Sequence, residues 1–330
     1  MKAISDAVNS PPLDAKPDVL VDWLEFVAFF DPSGVARMDA IENAIVIQEE
    51  ENPTDTAAAD SEKDARRSEI EEEISLRANS LREAYPFSLS DDGEELAFNS
   101  RGTRSGACFY LICLIASHIT RSTILAAPPS DAAIADLRNR QFQVLSTLAV
   151  AGHVEGPSIS FGWPRANGQS ITDAVARCCE LSGTGQVRIP PGPEAARFAK
   201  DGGMDVIAWK VAVNGNPPPA HMCFGQSASG HGWSAKSALD ELEQFLEAYF
   251  LNRPACSSTT VTVVPYRLDD ADHKLYARRH GHILDRVRTP MAARLGLRLA
   301  IDQGVSVDEA DAVWKLNCWV LRYRQCLRAA

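Results

Sequence analysis

No stretch of this 330-residue chain is apolar for long enough to cross a bilayer: the longest run, "ACFYLICLIA" at 107–116, is half of the ~20 residues a spanning helix needs. A buried helix is expected there, with no membrane association. The opening "MKAISDAVNSPPLDAKPDVL" lacks the basic region and unbroken apolar run of a secretory signal, so a cytoplasmic location is expected. Eight cysteines are present without a C-x-x-C pair, so neither a zinc knuckle nor a dithiol redox motif is spelled out. Adjacent Cys178 and Cys179 read as reduced core positions on an apolar helix face rather than as reactive thiols. Net positive charge is also missing. The balance of -11 argues against a protein that coats nucleic acid non-specifically. "GTG" at Gly183–Gly185 has no Gly-Lys-Ser/Thr after it, so it reads as a turn and not as a phosphate loop. No internal repeat is found.

What is there divides unevenly. Residues 151–330 carry 20 Lys/Arg and 18 Asp/Glu, and the first 150 carry the remaining 13 and 26 of the chain's 33 and 44. The acidity therefore belongs to the first part, which suits a solvated or partner-binding helical surface. Residues 1–155 are expected to form a mainly helical domain. Its elements are a helical stretch across 19–49 broken at "DPSG", a flexible alanine-rich loop "ENPTDTAAADSEKDA", and a helix over "SEIEEEISLRANSLREAY". A hairpin around Asp92-Gly93 and helices at 106–118 and 131–151 complete it.

Residues 156–330 read as α/β. The helix "ITDAVARCCELSG" precedes three β-type runs, "QVRI", "MDVIAWKVAV" and "AHMCFGQ". The helix "SAKSALDELEQFLEAYFL", the strand "STTVTVVPYRL" and helices across 271–288 and 307–328 follow, the last opened by a capping box of Ser306 with Glu309.

"NGNPPP" between two of the strands is too short for a crossover helix, so those strands are expected to form an antiparallel hairpin. A pivot near Pro217 would set residue 205 opposite 228 and 207 opposite 226, bringing Asp205 and Gln226 into diagonal contact on one face. Glu180, near the end of the preceding helix, is expected to project toward the same spot. Two carboxylates and an amide oxygen are hard ligands suited to Mg²⁺.

Glu180 on a helix, followed by "DGGMDVIAWK" and "FGQSASG", resembles the PD-(D/E)xK restriction-endonuclease-like nucleases, in the variant with Gln at the second acidic position. The resemblance covers about 171–248. It implies a restriction-endonuclease-like core with a central mixed β-sheet flanked by helices, here preceded by the helical domain. It further implies Mg²⁺- or Mn²⁺-dependent hydrolysis of DNA, with Glu180, Asp205 and the Ser227 carbonyl as metal ligands and Gln226 as the third polar member. The implied setting is bacterial defence against foreign DNA. The expected motif lysine is replaced by Ala228. Lys236, at the start of the next helix, is the preferred substitute. Lys210 is disfavoured because it sits at an odd offset from Asp205 and points to the other face.

Arg278, Arg279, Arg286 and Arg288 form the densest basic group and are expected to contact nucleic acid phosphates. His280 and His282 alternate too closely to face one way on a helix, and His221 and His231 flank the Gln226 strand. The acidic first part is expected to regulate the enzyme or to dock a protein partner such as an ATPase, helicase or sensor. A non-catalytic nucleic-acid-binding or scaffold subunit that kept the fold and lost the lysine is the competing expectation.

Overall fold

The computed structural model describes residues 7–41, 56–99, 106–126, 129–162, 165, 169–198, 202–235 and 237–329. The chain forms two compact units, Met1–Ile134 with Asn317–Ala330, and Ala135–Leu316. The expected boundary at 155 thus falls inside the second unit. No helix among the described residues is long and apolar enough to cross a membrane.

The first unit contains α1 (Pro17–Phe30), β1 (Val35–Arg37), α2 (Thr56–Leu81), β2 (Phe87–Leu89), β3 (Glu95–Phe98) and α3 (Ala107–His118). Proline in its first turn suits the start of α1, and the chain leaves it through Asp31, whose carboxylate accepts the N–H groups of Ser33 and Gly34. That reversal sends Val35–Arg37 into an antiparallel strand beside β3, instead of the helical continuation expected there. The expected loop at 51–65 is helical from Thr56 on, because alanine is the strongest helix former and the polar residues around it can remain solvated. Its start at 51–55 lies outside the described residues, as does 42–49 of the expected first helix.

α1, α2 and α3 bury a polar network. Arg77, with no exposed side chain, donates to Glu73 (2.8 Å), Asp22 (2.7 Å), Glu25 (3.0 Å), the Tyr110 hydroxyl (3.1 Å) and the Asp18 carbonyl (2.9 Å). Tyr85 and Tyr110 hydroxyls donate to Glu25 at 2.6 and 2.7 Å, and His118 Nε2 lies 2.6 Å from Asp22.

Farther along, α4 (Asp131–Asp136) passes through a π-turn at Leu137–Gln141 into α5 (Phe142–Val154). There follow β4 (Ser158–Ser160), α6 (Ile171–Ser182), β5 (Gln186–Val187), β6 (Val206–Lys210), β7 (His221–Ser227), α7 (Ala238–Tyr249) and β8 (Phe250–Asn252). The chain closes with β9 (Ser257–Val263), α8 (Asp270–His280), β10 (His282–Leu284), α9 (Thr289–Gln303) and α10 (Val313–Ala329).

Five strands make one mixed sheet in the order β10-β9-β7-β6-β4. β4, β6 and β7 are antiparallel neighbours, whereas β7, β9 and β10 run parallel. Ile207, Trp209, Met222 and Phe224 on one face pack against Val175 and Cys178 of α6 and Phe245 and Tyr249 of α7. The opposite face meets α5, where a Cβ on Gly225 would touch Val150. α5 in turn packs on α9 at backbone contact: a Cβ on Gly152 would lie 1.9 Å from the Ala292 carbonyl oxygen. This is an α/β unit with helices on both faces of the sheet.

Three expected elements differ. "QVRI" contributes only Gln186–Val187, and these pair with β8 in a separate two-stranded sheet. The helix expected across 271–288 stops at His280, because Gly281 at φ +82° turns the chain beneath Thr260 and releases Ile283 and Leu284 to bury beside β9. Glu309 does not complete a capping box. It adopts a left-handed conformation (φ +69°) and grips Arg140 through two hydrogen bonds of 2.7 and 2.6 Å.

Candidate functional site

Val206 faces Gly225 and Lys210 faces His221 across the β6–β7 hairpin. The pivot lies at Gly215/Asn216, with Gly215 taking the left-handed turn (φ +73°), and not at Pro217. This register is two residues away from the expected one, and at its end Asp205 hydrogen-bonds to both chain neighbours of Gln226. The Asp205 N–H donates to the Gly225 carbonyl at 2.8 Å, and its carboxylate Oδ2 accepts the Ser227 N–H at 2.7 Å, so Asp205 brackets Gln226. A charge-assisted bond of this kind offsets part of the desolvation of a half-buried carboxylate. The Asp205 carbonyl is held from the other side by the Phe161 N–H (2.6 Å) and Gln143 Nε2 (2.8 Å).

Gln226 is 8% exposed. Its Nε2 donates to the Gly203 carbonyl (3.3 Å) and to Glu241 Oε2 (3.1 Å), whereas its Oε1 is buried with no hydrogen-bond partner. On the neighbouring parallel strand its register partner is Thr262, fully buried, whose Oγ1 also has no partner. Register partners in a sheet share a face, so Gln226 and Thr262, each with a partnerless oxygen, are neighbours on that face, with Asp205 on the other side of Gln226. Leaving a buried polar atom unsatisfied costs about 1–3 kcal/mol. Thr260, two residues earlier on the same face, donates normally to the His280 carbonyl at 3.0 Å.

Glu241 was not among the expected site residues. It lies in the first turn of α7, which Ser237 caps by accepting the Asp240 N–H. A signal for it exists in the sequence: Glu241 falls within the apolar stripe of Ala238, Leu242, Phe245 and Tyr249, where a carboxylate needs a reason to be. Gly202 and Gly203 have φ of +68° and +82°, and a Cβ on Gly203 would come within 2.1 Å of Glu241 Oε2. The "GG" of "KDGGMD" therefore serves both the turn and the close approach of the carboxylate.

Glu180 does not join this group. It is exposed, one turn from the α6 C-cap Gly183, whose Cβ would touch Pro217 in the β6–β7 loop at the far end of the hairpin. Ile171, at the other end of α6, is the residue near Gly202, and nine residues of helix put Glu180 about 13 Å further along the axis. The direction in which α6 crosses the sheet decides this. Lys210 lies on the α5 face, as its odd offset implied, and pairs with Glu155 at 3.0 Å. Lys236 lies outside the described residues.

The basic group is not one surface. Arg278 and Arg279 are exposed at the end of α8, Arg288 pairs with Asp285 at 2.9 Å, and Arg286 is only 2% exposed and out of reach of a phosphate backbone. The histidines also separate. His280 is buried against Trp233 and Tyr276, and His282 meets His153 with ring centroids 4.9 Å apart. His221 engages the Ser257 and Thr259 hydroxyls, while His231 is exposed over Tyr266.

Burial raises the Cys178 thiol well above its usual range and pushes Cys179 up to about 11, so neither supplies a thiolate at neutral pH. Among the described residues, no group of three or more His, Cys, Asp or Glu side chains is arranged to hold a metal ion. Any cation here would rely on Asp205 and Glu241 together with neutral oxygens. A scan against protein-family models finds no match to this chain, and searches of curated proteins and of solved structures find none either.

Proposed function

We propose that the second unit is a metal-dependent phosphodiesterase acting on nucleic acid, with its centre at Asp205, Gln226 and Glu241. The observation that carries this reading is the bracketing of Gln226 by Asp205, which bonds to Gly225 and Ser227 at the sheet end, with the Glu241 carboxylate drawn onto the Gln226 amide. It combines the Asp and Gln of the restriction-endonuclease-like pattern with a second acid from α7 in place of Glu180.

The residues fit a hard cation. Asp205 and Glu241 bring the charge, and the partnerless Gln226 Oε1 and the Ser227 carbonyl are neutral oxygen donors. Mg²⁺ or Mn²⁺, which retain several waters and need few protein ligands, suit such a set. When bound, the ion supplies Lewis-acid polarisation of a phosphoryl oxygen. The chain's own contribution is positional. The Ser227 N–H aims the Asp205 carboxylate, the Gln226 Nε2 holds Glu241 beside the glycine turn, and Gln143 with the Phe161 N–H fixes the backbone beneath.

A non-catalytic nucleic-acid-binding subunit is the second reading, favoured by Ala228 at the expected lysine position. The deciding measurement is cleavage of a labelled DNA in Mg²⁺ and in Mn²⁺ by the parent and by Asp205→Ala. Metal-dependent cutting that disappears in the variant supports the enzyme. Equal cutting by both rejects the site, and DNA binding without cutting by either supports the second reading.

A further inference from the structure

Near the C-terminal end of β7 lies a cation that the proposed chemistry does not use. Arg138 sits in the π-turn ahead of α5, half-buried. Its Nε is buried with no hydrogen-bond partner, and no carboxylate pairs with its guanidinium among the described residues. The contrast with its neighbours is direct: Arg140 is clamped by Glu309 and Arg177 by Asp308, each through two hydrogen bonds. Arg138 instead lies over the loop that leaves β7, where a Cβ on Gly230 would come within 3.0 Å of its Nη2.

An aromatic pair lies at the same loop, His231 within it and Tyr266 from the segment after β9. Tyr266 donates its hydroxyl to the Ser229 carbonyl at 3.1 Å, and the exposed His231 ring lies 5.4 Å from the Tyr266 ring at 40°. Burial pushes the Tyr266 phenol up to about 12 against the opposing pull of Arg138, so it stays a neutral donor and holds the loop in place. Gly230 is three residues beyond Ser227, at most about 10 Å of extended chain. Ser227 is also tied to α5 through Ser146, its Oγ 2.9 Å away, eight residues along the chain from Arg138.

We infer that Arg138 and the His231–Tyr266 pair form a subsite for a single nucleic-acid strand, Arg138 taking a non-scissile phosphate and the rings stacking an adjacent base. The location rests on the phosphodiesterase reading of the Asp205 site; the binding chemistry does not. A guanidinium with no carboxylate partner among the described residues presents a planar fork that matches a phosphate, and an exposed ring on a fixed second ring is a sequence-tolerant platform for a base. The pairing of one cation with one stack is the repeat that a nucleotide presents.

The test measures anisotropy of a fluorescein-labelled oligothymidylate across a range of NaCl concentrations, using the full chain with Asp205→Asn to prevent cutting. Arg138→Gln is expected to weaken binding at least about tenfold and to lower the salt slope by about 0.7, one single-strand phosphate. Arg138→Lys, which keeps the charge, restores the slope but not the full affinity. His231→Ala is expected to weaken binding at least about fivefold, as loss of one stacked base does, and His231→Phe to retain it. An Arg138→Gln protein with the parent's affinity and slope overturns the proposal, as does inorganic phosphate binding at Arg138 in a protein indifferent to the strand. Binding through Arg138 by a chain whose intact Asp205 never cuts DNA keeps the subsite and rejects the phosphodiesterase reading. Cutting that is indifferent to Arg138→Gln in both affinity and rate does the reverse.

Discussion

In the first unit each guanidinium nitrogen of Arg77 is engaged by a carboxylate, a hydroxyl or a carbonyl, whereas in the second Gln226 and Thr262 keep oxygens buried without partners. Arg77 and its partners close on themselves, with Tyr85 and Tyr110 completing the coordination of Glu25. A closed network rigidifies its surroundings and leaves little for a ligand to gain. Asp205, Gln226, Thr262 and Glu241 form an open one, and the oxygens left over are what a ligand can satisfy. Burial of polar groups by itself therefore says little about function; whether the network is complete says more.

The comparison breaks most readily at Arg77. Arg77→Met should cost about 3–5 kcal/mol of stability in urea unfolding, since the carboxylates around it would be left buried and uncompensated. A loss below about 1 kcal/mol would mean that the network is not structural.

At the open site the large effect is on activity. Asp205→Asn should lower metal-dependent cleavage at least about a hundredfold, or roughly 2.7 kcal/mol of barrier, while urea unfolding moves little. A variant that unfolds as readily as Arg77→Met would place Asp205 among the structural residues.

Opposite signs are expected from two isosteric changes. Tyr110→Phe removes a donor to a buried carboxylate and should destabilise by about 1–3 kcal/mol. Thr262→Val removes a hydroxyl that has no partner, and should stabilise by about 1 kcal/mol while reducing cleavage, the trade expected of a functional position. A destabilised Thr262→Val protein would show that the hydroxyl is satisfied after all.

The smallest expected effect is on pH dependence. Burial, then His282 and His221, hold the His153 imidazole below its ordinary value. The unfolded chain therefore binds a proton there before the folded one does, so stability is complete above the unfolded pKa near 6.5 and falls as pH drops below it. His153→Gln should flatten unfolding midpoints between about pH 7 and 5. An unchanged slope would assign that dependence to other groups.

Much of the second unit was legible. The amphipathic period of α6 and α7, the β-type runs of β6, β7 and β9, and the short "NGNPPP" loop led to an antiparallel hairpin followed by a helix and a further strand. The three-residue strands β4 and β10 were not legible, because such short runs carry too little periodicity to separate strand from turn. Asp205 and Gln226 could be picked from their positions on apolar strands. Glu241 carried the same signal on the apolar stripe of α7, but a carboxylate in an acidic first turn also reads as an ordinary helix start.

The local chemistry of this chain, meaning its glycine turns, its alternation along β6 and β7 and the helical stripes that flank them, was determined by the sequence alone, since each depends on neighbours within a few residues. Which carboxylate reached the site was not. Glu180 and Glu241 are both helix acids near the hairpin in sequence, and the choice between them followed from the direction in which α6 crosses the sheet and the end at which α7 begins. The hairpin register was settled in the same way, by the left-handed turn at Gly215 and by the packing of Ile207, Trp209 and Phe224 on two helices at once. Those are long-range conditions, and only the assembled sheet satisfies them together.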